Sequence, residues 1–337
     1  MLKKFLLLTL FVAFLDARVV VDDFGEKITL PDKVERASPM MGIYAQIAVS
    51  MGGGDRMVSG APRGLTPMML KIFPKIKMTG FKGSVRAGVE ALIEAKTQVI
   101  IGMASMIDDN IKKQFEAAGI AVVRTNSKFA TPQDVKEKVA KIAEVFGGES
   151  VEMAKEFERI YDENINFISS RTSKISPKKR VLVLNFNAGN YTTITEGFVN
   201  AQYIRIAGGE HLVSKKGSLG SSPILNEEQV IVYNPDIIIT DTPKGYEQIM
   251  KNPPFKHLKA VKNKQVFIQP EGVMPFWSGT EGALQVLWLA KIFYPNEFKD
   301  LDIRAKVREF YAKFYRYKLS ESELDEIFYP VNMELLY

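Results

Sequence analysis

The chain has 337 residues, enough for two lobes each with its own core, and its 46% hydrophobic and 25% charged content excludes a disordered protein. The absence of cysteine excludes disulfides, thiolate metal sites and a lipid-modified cysteine. A net charge of +6 arises from lysines spread over the chain without an aromatic-interleaved basic patch, which argues against a nucleic-acid partner.

Taken in order, the chain begins with Lys3 and Lys4, a run over 5–15 that is apolar except for Thr9, and then Ala17. This is the pattern of a secretory leader over residues 1–17, too short to span a bilayer, and it predicts cleavage after Ala17 and residence in a periplasm. Loss of Lys3, Lys4 and Asp16 with it would lower the net charge from +6 to +5. Residues 19–30 read as a hairpin turning at 23–26, and 40–51 as a helix with Met41 near its start. A short strand over 57–60 leads to a loop with Arg63, and a polar loop over 79–88 carries Phe81 and Arg86. A strand ending at Ile101 delivers Met103, and a strand over 121–124 is followed by Asn126 and Phe129. Loops at strand carboxyl ends are where open α/β sheets place ligands, which makes these residues candidate contacts. Thr131-Pro132 then opens a helix to residue 146.

Over 150–176, Ala154, Phe157, Tyr161, Ile165 and Ile168 recur at helical spacing, with Glu149 and Glu152 at the entry, Arg171 and Lys174 at the exit, and Pro177 as the stop. The spacing predicts a rod of roughly 35 Å. Beyond it, a strand over 180–185 leads to an uncharged loop with Phe186, Asn187 and Tyr191, and a helix spans 198–206. A loop over 273–279 carries Phe276 and Trp277, and helices over 284–293, 307–314 and after Ser320 close the chain. Trp288 stands among leucines and reads as core, whereas Trp277, between Pro275 and Gly279, reads as a ligand wall. His211 and His257, the two histidines, read as surface residues and are too few to hold a bare transition metal.

Segment 89–101 (VEALIEAKTQVII) aligns without a gap with 227–239 (EEQVIVYNPDIII), one before the rod and one after it. In each, an acidic residue opens a short apolar helix and a β-branched run enters a buried strand. The predicted fold is therefore α/β: two Rossmann-like lobes, residues 18–149 and 177–337, joined by a single long α-helix, with a ligand cleft between the lobes. No nucleophile elbow, phosphate loop, dinucleotide fingerprint or zinc-protease motif is present, so binding without catalysis is expected.

These features resemble the periplasmic solute-binding proteins of ABC transporters for iron chelates, haem and cobalamin, the class with a helical backbone. The resemblance is carried by residues 21–31 (VDDFGEKITLP), by Glu90 in its helix–strand unit, by Ala207-Gly208-Gly209, and by Glu228-Gln229 with Asn234-Pro235-Asp236. Ala260-Val261-Lys262-Asn263 and Leu287-Trp288-Leu289-Ala290-Lys291 with Tyr294-Pro295 extend it over nearly the whole chain. It departs at Thr97-Gln98, where the family has Pro-Asp, and after Trp277, where many relatives carry a basic residue and this chain has Ser278-Gly279-Thr280. The resemblance implies a monomer, without a cofactor, that captures a ferric siderophore and delivers it to an inner-membrane permease and its ATPase. Haem, cobalamin or a nickel chelate are the alternative ligands, and a periplasmic enzyme or cofactor scaffold on the same frame is the reading from another class. It also implies Glu90 and Glu228 as permease-docking acids, one on each lobe.

Overall fold

The computed structural model describes residues 17–58, 66–74, 76, 89–213 and 222–329; residues 1–16 of the expected leader and the loops with Arg63, Phe81 and Arg86 lie outside the described residues. The chain enters through an antiparallel hairpin of β1 (Ala17–Val21) and β2 (Lys27–Pro31), with Val21 opposite Lys27. Asp22 fixes its turn by accepting from the backbone N–H groups of Phe24 and Glu26.

The sheet of the first lobe is β3 (Ala37–Pro39), β4 (Val99–Met103) and β5 (Ala121–Thr125), all parallel with β4 in the centre. Of the expected strand over 57–60, Met57 forms a bridge with Ala37, and residues 59 and 60 lie outside the described residues. Helices α1 (Gly42–Ala48), α2 (Pro67–Ile72), α3 (Val89–Glu94), α4 (Asp109–Ala117) and α5 (Pro132–Phe146) complete the lobe. The start of α5 is set locally: Thr131 and Asp134 exchange capping hydrogen bonds, and Pro132 takes the first turn, where its missing N–H costs nothing.

The connecting helix α6 (Glu149–Thr172) has 24 residues, or roughly 36 Å at 1.5 Å per residue. Ala154, Phe157, Tyr161 and Ile168 are buried along one stripe, while Ile165 is only half-buried. The stripe serves both lobes. Lys136 of α5 reaches Asp162 at 2.9 Å, Tyr161 meets the hydroxyl of Tyr203 at 2.5 Å, and Asn164 donates to the Ala283 carbonyl at 2.9 Å.

The second lobe holds β6 (Lys179–Val183), β7 (Asn185–Asn187), β8 (Asn190–Thr192), β9 (Gly209–His211), β10 (Ile224–Leu225), β11 (Ile237–Thr240) and β12 (Val266–Ile268). Its main sheet is parallel, in the order β12-β11-β6-β9. The segment expected to be a loop after residue 185 is instead the β7–β8 hairpin, extended by β10 into a small antiparallel sheet. Helices α7 (Val199–Ile206), α8 (Glu227–Tyr233), α9 (Pro243–Lys251), α10 (Lys259–Lys262), α11 (Gly282–Phe293), α12 (Ile303–Phe310) and α13 (Glu321–Phe328) surround these sheets.

Period-2 alternation sorts the buried side chains: Val99, Ile101, Val181, Val183, Ile237 and Ile239 face one continuous core, and Ile100, Leu182 and Ile238 face the outer layers. That core runs from one lobe through α6 to the other. The repeat also explains why the departure at Thr97-Gln98 is tolerated. The Gln98 side chain accepts from the N–H groups of Glu35 and Arg36 just before β3, and Asp236, its repeat counterpart, accepts from Arg180 N–H in β6.

Candidate functional site

The lobes meet at the carboxyl ends of their parallel strands. Gln46, in α1 just after β3, is fully buried; its amide donates to Thr280 Oγ1 and to the Tyr315 hydroxyl, each at 2.6 Å, and its carbonyl accepts from Thr280 N–H at 3.1 Å. Thr280 Oγ1 in turn donates to Ser50 Oγ at 3.1 Å. Gly279 is required beneath this network: its φ is +57°, and a Cβ there would stand 2.0 Å from Gln46 Oε1. Two further ties cross nearby, Thr66 Oγ1 to the Val273 carbonyl at 2.8 Å and Val199 N–H to the Phe129 carbonyl at 2.9 Å.

Beside these ties, a cavity of about 180 Å³ opens at the carboxyl ends of β6, β11 and β12. Asn185, Asn187, Asn200, Ser222, Thr240, Asp241, Gln269 and Gln285 supply its polar wall, and Val183, Ile194, Phe198, Ile204, Ile239 and Trp277 its apolar one. The wall is organised by its own hydrogen bonds. Asn185 Oδ1 accepts from Asp241 N–H at 3.1 Å, and the buried Gln269 and Gln285 amides bond reciprocally at 2.5 and 3.1 Å. Burial holds the Asp241 carboxyl above its usual range, and no lysine or arginine lines the cavity among the described residues.

Of the residues singled out from sequence, Asn187 and Trp277 line this cavity. Met41, Met103 and Asn126 stand at the carboxyl ends of the three strands of the first lobe, all half-buried. Asn126 is occupied locally: its N–H donates to Asp23, and its Oδ1 accepts from Lys128 N–H and from the Lys138 ammonium. Three expectations are corrected. Phe276 is fully buried against Phe328, Phe129 is 4% exposed in the common core, and Tyr191 packs between Phe186 and Phe255 with its hydroxyl bonded to Asn252. Each follows a strand or lies in a loop, but an aromatic ring that finds a complete apolar shell stays inside it. His211 is likewise corrected from surface to interior, 6% exposed with Nδ1 at 3.2 Å from Glu196, because β9 places it at the edge of the main sheet; His257 is exposed. Trp288 is fully buried in the core as expected.

Sequence reasoning missed Asn185, Asn200, Thr240, Asp241, Gln269 and Gln285. A signal existed for two of them, since Thr240 and Asp241 directly follow the β-branched run of the second repeat copy, as Gly102 and Met103 follow the first. The docking candidates Glu90 and Glu228 both lie exposed in the first turns of α3 and α8.

This frame, two parallel-sheet lobes spanned by one helix with a cavity where strand ends meet, is that of a solute-binding protein. The periplasmic binding protein family model matches residues 60–272, and the chain belongs to that family, whose members serve as solute-binding components of ABC importers. The molybdate-binding protein MolA of Haemophilus influenzae is 24% identical, over 92% of this chain and 94% of its own length. Its molybdate-bound structure superposes with a TM-score of 0.76 at 23% identity, covering 90% of this chain and 99% of that one. A periplasmic solute-binding protein from Veillonella parvula DSM 2008 gives a TM-score of 0.76 at 21% identity, over 96% and 100% of the two chains. The nickel–histidine complex of Helicobacter pylori CeuE gives 0.70 at 23%, over 93% and 100%. Among the described residues, no helix is long and apolar enough to cross a membrane.

Proposed function

We propose that this protein captures a compact metal chelate of low net charge, a ferric siderophore in the first instance, and delivers it unchanged to an inner-membrane permease driven by a cytoplasmic ATPase. The observation that carries the reading is the cavity wall: neutral amides and hydroxyls with one carboxyl, beside the half-buried Trp277, at the meeting of the lobes. Among the described residues no three His, Cys, Asp or Glu converge to hold a bare metal ion, so the metal would arrive already complexed. Arg63 and Arg86 are the proposed contacts from the first lobe, suited to the anionic oxygens of a chelate.

A second reading, capture of an oxyanion, is favoured by the likeness to the molybdate-binding MolA over 92% of the chain. Haem, cobalamin and nickel–histidine complete the set, the last supported by the likeness to CeuE. The test is titration of the purified protein with ferric hydroxamates, ferric catecholates, haemin, cobalamin, nickel–histidine and molybdate, following tryptophan fluorescence with Trp277→Phe as control. Submicromolar binding of a ferric chelate, lost at least tenfold in Arg63→Ala with Arg86→Ala, is the expected result. Binding of molybdate with no binding of any chelate would establish the second reading instead.

Docking is proposed through Glu90 and Glu228. Their support is the repeat: the two acids align, and Ile93 and Ile231, one turn further on, are each left exposed, at 49% and 44%. Matched acidic and apolar groups on each lobe suit a partner with two equivalent basic faces.

A further inference from the structure

The loop that carries Trp277 to the cavity belongs to the second lobe but is gripped at both ends by the first. At its start, Thr66, which caps α2, donates its hydroxyl to the Val273 carbonyl at 2.8 Å, with the Gly272 carbonyl at 3.2 Å. At its end, Gln46 of α1 donates to Thr280 Oγ1 and to the Tyr315 hydroxyl, and accepts from Thr280 N–H. Gln46 is fully buried and Thr66 is 8% exposed, so bulk water competes little for these bonds. From the second lobe, Phe276 packs against Phe328, and Glu281 accepts from Val273 N–H and Met274 N–H. The span between closes on itself, Phe276 N–H donating to the Pro270 carbonyl and Ser278 N–H to the Pro275 carbonyl. Trp277 stands four residues after Val273 and three before Thr280, half-buried at the cavity. Over so short and bonded a span, the anchors at either end decide where its ring lies.

We infer that Gln46 and Thr66 are positioning residues of the ligand site: they hold both ends of the Trp277 loop, so the first lobe sets a wall of the cavity in the second. Neither residue lines the cavity, and each acts on it through the loop backbone. The inference rests on the proposed capture of a ligand at this cavity and deepens it. The Trp277 wall is in place before a ligand arrives, which spares the cost of ordering the loop on binding. Loss of either anchor would free Trp277 while leaving the helix that follows the loop in its core, because Trp288 in α11 is fully buried.

The test uses the full chain without ligand, so it holds whichever ligand is native. The protein has two tryptophans, and 5-fluorotryptophan labelling gives one ¹⁹F NMR line for each, assigned with Trp277→Phe. Gln46→Met keeps the side-chain length and removes all three bonds of the amide. Thr66→Val removes the hydroxyl at the other anchor, and Thr66→Ser keeps it. The Trp277 line is expected to at least double in width, or to split, in Gln46→Met and in Thr66→Val. The Trp288 line is expected to stay unchanged in both, and Thr66→Ser to match wild type. A Trp277 line unmoved in both variants, or a Trp288 line that moves as much as that of Trp277, would overturn the inference. If Gln46→Met fails to fold, the comparison of Thr66→Val with Thr66→Ser decides. Failure of every ferric chelate in the titration set, with Trp277 still loosened in the variants, would end chelate capture and leave the positioning intact. A ferric chelate bound equally by wild type and Gln46→Met, with the Trp277 line unmoved, would end the positioning and leave chelate capture standing.

Discussion

Glu281 is fully buried, with Oε1 accepting from the Tyr311 hydroxyl at 2.6 Å and from Val273 N–H, and Oε2 from Met274 N–H at 2.7 Å. It thereby holds the loop that presents Trp277. Gly272 belongs to the same arrangement, because a Cβ there would stand 1.8 Å from the Tyr311 hydroxyl oxygen. Burial without a counter-cation pushes the carboxyl up to about 8, against the three donors that oppose the shift. An acid whose folded value lies above its unfolded value of roughly 4.3 favours the folded state most at low pH. Its contribution falls as the pH rises through the window from about 4.3 to 8. Glu281→Gln removes this titration and leaves one backbone N–H facing an amide N–H, at a cost of about 1–3 kcal/mol. The stability gap between wild type and Glu281→Gln, measured by urea unfolding, is therefore expected to be widest near pH 5 and to narrow toward pH 8. A gap that stays constant over that range would show that Glu281 is ionised throughout.

Among the elements, α6 is decided by what its stripe touches. Burial of Phe157, Tyr161 and Ile168 contributes about 1.5–3 kcal/mol each, and Phe157 stacks on Tyr161 at 5.3 Å while meeting Phe314 edge-on at 6.0 Å. The Tyr161 and Tyr203 hydroxyls bond to each other in full burial, which ties the helix to α7. Tyr161→Phe alone leaves the Tyr203 hydroxyl unpaired and is expected to cost about 1–3 kcal/mol. Tyr161→Phe with Tyr203→Phe removes both polar groups and is expected to cost less than the sum of the single changes. Strict additivity in calorimetric or urea unfolding would mean that the two hydroxyls do not interact.

For the whole molecule, three features oppose a large separation of the lobes: the continuous core through α6, the buried Gln46–Thr280–Tyr315 network, and the return of the chain end across the first lobe, where Tyr315 packs edge-on against Phe73. Lys71 and Glu323 add an ion pair at 2.5 Å across the same face. Ligand capture is thus expected to move the lobes little, so the proposed docking acids Glu90 and Glu228 keep nearly fixed spacing. Glu90→Arg combined with Glu228→Arg is expected to abolish uptake in cells while ligand affinity of the purified double variant stays within twofold of wild type. Loss of affinity in that variant would place the acids in the fold or the ligand site rather than in docking.

The two-lobed α/β architecture and the long helix were legible because their signals are local and repeated. Hydrophobic period, capping pairs such as Thr131 with Asp134, and the aligned segments 89–101 and 227–239 each act over a few residues. Trp277 was legible for the same reason, as a large ring in a loop between Pro275 and Gly279. The rest was set by tertiary contact. Whether Phe276, Phe129, Tyr191 or His211 turns inward depends on an apolar shell built by residues distant in the chain, and no neighbouring residue announces it. The cavity wall with Asn200, Thr240 and Asp241 was hidden likewise, because residues separated by up to 41 positions gain chemical meaning only when the fold brings them round one cavity at the ends of parallel strands.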